Sequence, residues 1–240
     1  MAALANRIQN INDDFIDATE ILLQLLDLGE AQSVAPELRV VLSNNIIVAL
    51  VSTTEEALRD AFSEYLAIIE ESGFSYGQLR SDLQKANLNS AISLLSEQRK
   101  LFDWTSTKSV VDTFAACLSQ QDGYSLFREK ITYNEGNFRS DQITTTAKRV
   151  GVRDIWLQIC DSEDVENYTA EEIVESRVTR LVQDWNALFD ERDIVVHRIS
   201  QASGWSNESI RKGVNLSRLI FSRICSCLEV DAEALIARPR

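Results

Sequence analysis

The chain has few of the residues that punctuate turns: two prolines (Pro36 and Pro239) and eight glycines in 240 positions, against ordinary usage of about 5% and 7%. An all-β architecture needs both at its turns, so their scarcity argues against one and points to helices. No aliphatic run is longer than the six residues Ile46 to Val51, whereas a membrane span needs about 20 and the apolar stretch of a secretion signal at least ~7. The expectation is a cytoplasmic protein with no membrane partner. Cys117, Cys160, Cys225 and Cys227 are scattered among apolar neighbours, which suits reduced, buried thiols rather than a disulfide framework. Phosphate-cradling loops of the G-x-x-x-x-G-K or G-x-G-x-x-G type are missing, as is a G-x-S-x-G nucleophile elbow. Basic side chains number 24 against 37 acidic ones, a net charge of −13. That excludes a generally basic nucleic-acid coat and disfavours anionic bilayers, but leaves room for a local basic patch.

What remains is an ordinary globular composition, 45% hydrophobic and 25% charged, able to bury a core without disulfide or metal. Helical periodicity is plain from 2 to 28, through Ile8, Ile11, Phe15, Ala18, Leu22 and Leu25, with Gly29 placed as a stop. A second helix is predicted from Pro36 toward Gly73, with a weak centre at Ser52-Thr53-Thr54, a third over 77–101 and a fourth over 106–119. From about 120 to 168 the sequence turns polar, with helical pieces at 139–149 and 153–160, and reads as a helical insert (about 105–168) on the core. Thr169-Ala170-Glu171-Glu172 reads as a capping box opening a long helix through Trp185. A last helix follows over 206–228, with a stub starting at Asp231. The fold class is all-α, one domain over 1–240.

The chain has a single histidine, His197, so any imidazole acid or base must be this one. It stands in Phe189-Asp190-Glu191-Arg192-Asp193-Ile194-Val195-Val196-His197-Arg198, at the end of an amphipathic helix. Asp193 and His197 are i and i+4, so the carboxylate can orient the ring. Arg192 is five residues from His197, about 140° around an ideal helix, so one helix does not focus both on a point. A second copy across a two-fold axis would complete such a site. The plainer reading is a solvated polar helix end. From Arg192 to Arg223 six basic residues, Arg198, Arg211 and Lys212 among them, face two acidic ones, which reads either as a phosphate track or as a solvated face. Trp185 and Trp205 both flank the motif and are candidates for stacking on a base, though Trp185 falls on the apolar stripe and reads as core.

The Arg192-Asp193-x-x-x-His197 segment resembles the R-x(4 to 6)-H signature of the HEPN superfamily. The run Asn45 to Phe62, with Glu56 before an apolar and acidic stretch, is similar to an early core helix of the RiboL-PSP-like HEPN branch, as is Asn137-Phe138 with the helix that follows it. The resemblance implies an HEPN-type helical bundle with additional helices, its core mainly 35–75 and 169–228. It also implies a homodimer that acts as a metal-independent endoribonuclease without a cofactor. On that reading Arg192 and His197 are catalytic and Asp193 orients the histidine. Asp193 stands where asparagine is frequent, which adds negative charge beside a phosphate site. Glu56 is a candidate supporting residue, the alternative being a solvated glutamate, and Arg198, Arg211 and Lys212 are candidates for RNA binding. Many relatives are toxins or effectors of bacterial defence, so an antitoxin or regulatory protein is a candidate partner beside RNA. A catalytically silent module that binds RNA or protein is the alternative function, and a purely structural helical domain a third.

Overall fold

A computed structural model describes residues 2–30, 34–98, 104–119, 124–133, 137–197 and 205–237. Among them are ten α-helices and no strand: α1 (Ala2–Glu30), α2 (Pro36–Glu71), α3 (Ser81–Gln98), α4 (Trp104–Leu118), α5 (Arg128–Thr132), α6 (Ser140–Val150), α7 (Ile155–Cys160), α8 (Glu163–Thr169), α9 (Val174–His197) and α10 (Asn207–Ile236).

The framework is α1, α2 and α10. Side-chain bonds fix their directions, since Arg218 and Ser222 reach Glu20 and Asn12 on α1, whereas Ser43 and Tyr65 of α2 reach Asn207 and Asp231. Thus α10 runs antiparallel to α1 and parallel to α2. Between them the rings of Phe15 and Phe221 stand 4.5 Å apart, both almost wholly buried. Apolar side chains from Ile8 to Ala232 share one core, and its large members each contribute about 1.5–3 kcal/mol relative to exposure.

Several boundaries differ from the periodicity's expectation for local reasons. Gly29 does not stop α1 but lies inside it, where a Cβ would come within 2.8 Å of Leu42 Cδ2; the residue permits close approach of α2. The centre of α2 does not break, and there the Thr54 hydroxyl finds its partner within the helix, on the Leu50 carbonyl at 2.6 Å. Thr169 does not open α9. It ends α8, with its hydroxyl on the Val165 carbonyl and Ala170 in the left-handed region at φ 54°. Asp231 starts no separate stub, since its carboxylate is held by Arg80 and Tyr65 while α10 continues to Ile236. The third expected helix starts late: a short 3-10 turn at Tyr76–Gln78 precedes α3.

The stretch read as an insert is built into the core. Phe138, Ile143, Ala147, Val150 and Ile159 are fully buried, and α7 packs on both α9 and α10. All four cysteines are buried and free. No helix among the described residues is long and apolar enough to cross a membrane.

Candidate functional site

The segment Asn137-Phe138-Arg139 joins α2 to the end of α9. Phe138 is fully buried. Its N–H donates to Glu55 Oε1 at 3.0 Å, its carbonyl accepts the Trp185 indole N–H at 2.9 Å, and the Arg59 guanidinium stands 5.5 Å from its ring centroid. With both backbone groups satisfied and the ring in the core, the flanking Asn137 and Arg139 are fixed in register over α9. Asn186 strengthens this by accepting from the Ser140 N–H at 3.0 Å.

On α9 the receiving groups are Asp190 and Asp193. Arg139 donates to Asp190 Oδ1 at 2.6 Å and to Asp193 Oδ2 at 3.0 Å. The other Asp193 oxygen accepts from Arg192 at 3.0 Å and from Asn137 at 3.4 Å. Burial pushes the Asp193 carboxyl up, and the bonds from Arg192 and Arg139 more than reverse this, leaving it below the usual carboxylate value. The expected bond between Asp193 and His197 is therefore not formed: two arginines and an amide take up the carboxylate. Asp193 thus tethers Arg192 rather than orienting the ring.

Arg192 is partly buried, and its Nε is enclosed without a hydrogen-bond partner among the described residues. His197 occupies the exposed last turn of α9, which stays regular to that point. The two motif residues consequently leave the helix in different directions, as their spacing requires.

The other candidates separate in the same way. Glu56 is exposed, and its charge helps burial push the neighbouring Asp60 carboxyl up. The glutamate that reaches this site is Glu55, one position earlier on α2. Arg211 is paired with Asp27 and Glu30 of α1, and Lys212 with Glu208 at 2.8 Å. Arg198 lies outside the described residues. Trp185 is fully buried, and Trp205 packs so closely on α10 that a Cβ at Gly213 would come within 2.8 Å of its ring. Among the described residues no three of His, Cys, Asp or Glu are grouped as metal ligands.

Three residues of this cluster carry no role in the sequence reading: Arg139, Glu55 and Asp190. The available signal was Asn137-Phe138-Arg139 itself, a polar, apolar and cationic triplet just ahead of a helix, but nothing local ties it to a carboxylate 54 positions away.

A family comparison joins these separate parts. The family described as RiboL-PSP-HEPN matches residues 13–230, which takes in α2, the 137–139 segment and α9. The chain belongs to the RiboL-PSP-HEPN family. Comparison with curated proteins and with solved structures gives no match. HEPN domains are helical, in agreement with the fold, and membership supports an RNase-type or nucleotide-related role.

Proposed function

We propose that this HEPN protein is a metal-independent endoribonuclease. The observation that carries the reading is the anchoring of Arg192: Asp193 holds it, Arg139 and Asn137 hold Asp193, and one turn further along α9 stands the chain's only imidazole, exposed. Cleavage by the neighbouring 2′-hydroxyl needs a base for that proton, an acid for the departing 5′ oxygen, and cationic donors for charge developing on the phosphate. His197 moves the protons, and Arg192 donates to phosphate oxygens with a fork that Asp193 keeps in one orientation.

The reading includes a two-fold homodimer. A regular helix holds Arg192 and His197 about 140° apart, so one chain does not focus both on a single phosphate. A second copy supplies the missing partner, and Ile194 and Val196, exposed beside His197, suit burial between copies. Substrate is RNA, and a toxin or defence-effector role, with an antitoxin or regulator as partner, belongs to the same proposal.

The test is cleavage of total RNA by wild type and His197→Ala in excess EDTA, with mapping of product ends. Metal-free cutting to 2′,3′-cyclic phosphates, lost in the variant with the helical signal unchanged, is the expected result. RNA bound but never cut by wild type would make the protein a binding module. Recovery only on adding Mg²⁺, or 3′-hydroxyl ends, would remove Arg192 and His197 from the chemistry. Growth arrest on expression, absent for His197→Ala, checks the toxin role.

A further inference from the structure

Next to the site along α2 is a cavity of about 550 Å³ whose lining includes Ser63, Phe127, Arg128, Glu129, Lys130 and Tyr133. Resting on the ribonuclease reading above, we propose that it is a subsite for the RNA strand beside the scissile phosphate, with one base against Tyr133 and backbone phosphate on Arg128 and Lys130.

Position is the first argument. Glu55, Arg59 and Ser63 fall at i, i+4 and i+8, on one face of α2. Glu55 and Arg59 hold Phe138 beneath the Arg139 cluster, and Ser63 lines the cavity. Eight residues of helix span ~12 Å, the rise of three or four stacked nucleotides. Helix α2 thus carries the contacts that seat the 137–139 segment and, two turns further on, a wall of the cavity.

Chemistry is the second. The volume lies within the usual range for ligand pockets, about 300–1,000 Å³. Its lining is apolar at Leu126 and Phe127, cationic at Lys130 and at Arg128, whose Nε also pairs with Glu70 at 3.2 Å, and aromatic at Tyr133. Lys130 Nζ stands 5.3 Å from the centroid of the half-exposed Tyr133 ring, so charge and π-surface are presented together. Arg149 donates to the Tyr133 carbonyl at 2.9 Å and fixes the residue's backbone. Stacking on an aromatic side chain beside a cation is how proteins hold single strands with little sequence preference. Glu129, the carboxylate of the lining, can accept a bond from a ribose 2′-hydroxyl, a group that DNA lacks. The stretch from Arg128 to Arg153 carries six basic residues to three acidic ones on a chain of net charge −13.

Tyr133→Ala and Tyr133→Phe are compared with wild type on a heteropolymeric single-stranded RNA and on a dinucleoside monophosphate too short to span both places. Tyr133→Ala is expected to raise KM for the long RNA by about 5- to 150-fold, the usual worth of one stacked base. It should leave kcat for the dinucleotide unchanged, and Tyr133→Phe should keep the wild-type KM. A KM for the long RNA that does not move in Tyr133→Ala, with cleavage intact, overturns the subsite and spares the ribonuclease reading. A second arm measures binding of the same RNA, uncut, to His197→Ala and to wild type. If wild type cuts nothing yet binds this RNA through Tyr133, the subsite stands and the catalytic reading falls. Binding of polyglutamate with no binding of RNA would assign the cavity to an acidic polypeptide and overturn the proposal.

Discussion

Arg139 and Arg211 each hold two carboxylates of a distant helix, and the consequences differ. Arg211 meets Asp27 and Glu30 on α1, the framework helix antiparallel to its own, and Arg218 meets Glu20 a few turns away. These pairs line the α1–α10 seam and spend the positive charge of Arg211 and Arg218 on the chain's own acids. Arg139 meets Asp190 and Asp193 at the end of α9, where Asp193 also holds Arg192, and Arg192 leaves one nitrogen without a partner. Arg211 and Arg218 close on acids of α1, whereas the Arg139 cluster ends on Arg192, five residues before an exposed imidazole. Counting charge along the sequence ranks the 192–223 run first. Tracing who pairs with whom ranks the 137–139 segment first.

The largest separation between the two regions should come from removing His197. His197→Ala is expected to lose about 10²- to 10⁴-fold in cleavage, the usual contribution of a positioned acid or base. Its melting temperature should match wild type, because the side chain is exposed. Near-normal cleavage would place the chemistry elsewhere.

Phe138→Ala comes next and acts through the fold. Emptying a fully buried phenylalanine site costs about 3–5 kcal/mol, and here it also frees the segment that carries Asn137 and Arg139. Urea unfolding should show the loss. Cleavage at low temperature, where the variant remains folded, should fall as well. A variant that loses stability but keeps full cleavage when folded would show that the segment does not position Arg192.

Arg139→Gln against Arg211→Gln is the direct contrast. A bond to a charged group is worth about 1.5–3 kcal/mol, so loosening Asp193 should lower kcat roughly 10- to 100-fold, with KM moved little, since Arg139 acts through Arg192. Arg211→Gln should leave kcat unchanged within assay error and cost under ~1 kcal/mol of stability, as expected for partly exposed pairs. Equal effects on kcat would erase the distinction drawn between the two regions.

Much of the fold is legible in the sequence because helical periodicity and few breakers are local signals. Apolar residues every three or four positions define α1, α2, α9 and α10, and the long helices carry the framework. Errors occur where a side chain takes a partner other than the one its local pattern offers. Thr169 carries a good capping pattern, yet its hydroxyl turns back to the Val165 carbonyl and closes a shorter helix. Asp231 suits a helix start until Arg80 and Tyr65 claim its carboxylate. The site divides along the same line. Arg192 and His197 are readable from one motif, and their divergence follows from helical geometry. The support from Arg139 and Glu55 is not, because it spans separations of 54 and 83 residues. The i, i+4 rule correctly makes Asp193 and His197 neighbours on the helix. It cannot show that Arg139, from outside the helix, joins the neighbouring Arg192 in taking up the carboxylate.

The smallest effect tests that last pairing through pH. The folded-state value of Asp193 lies below its unfolded value, since two arginines outweigh burial. A depressed carboxyl contributes stability that is fully present above the unfolded value, about 3.9, and is lost as pH falls through the folded value. The melting temperature of wild type should therefore exceed that of Asp193→Asn by a constant amount from about pH 8 to about pH 5, and the gap should narrow below about pH 4. With its side chain about a third exposed, Asp193 is screened by solvent, so the gap is small and shrinks further in high salt. A gap that stays constant down to about pH 5 and closes only below about pH 4 assigns the carboxylate to the arginines, which stay charged throughout. A gap that already changes between about pH 5 and about pH 8, where neither the carboxyl nor an arginine exchanges a proton, would take the carboxylate away from them.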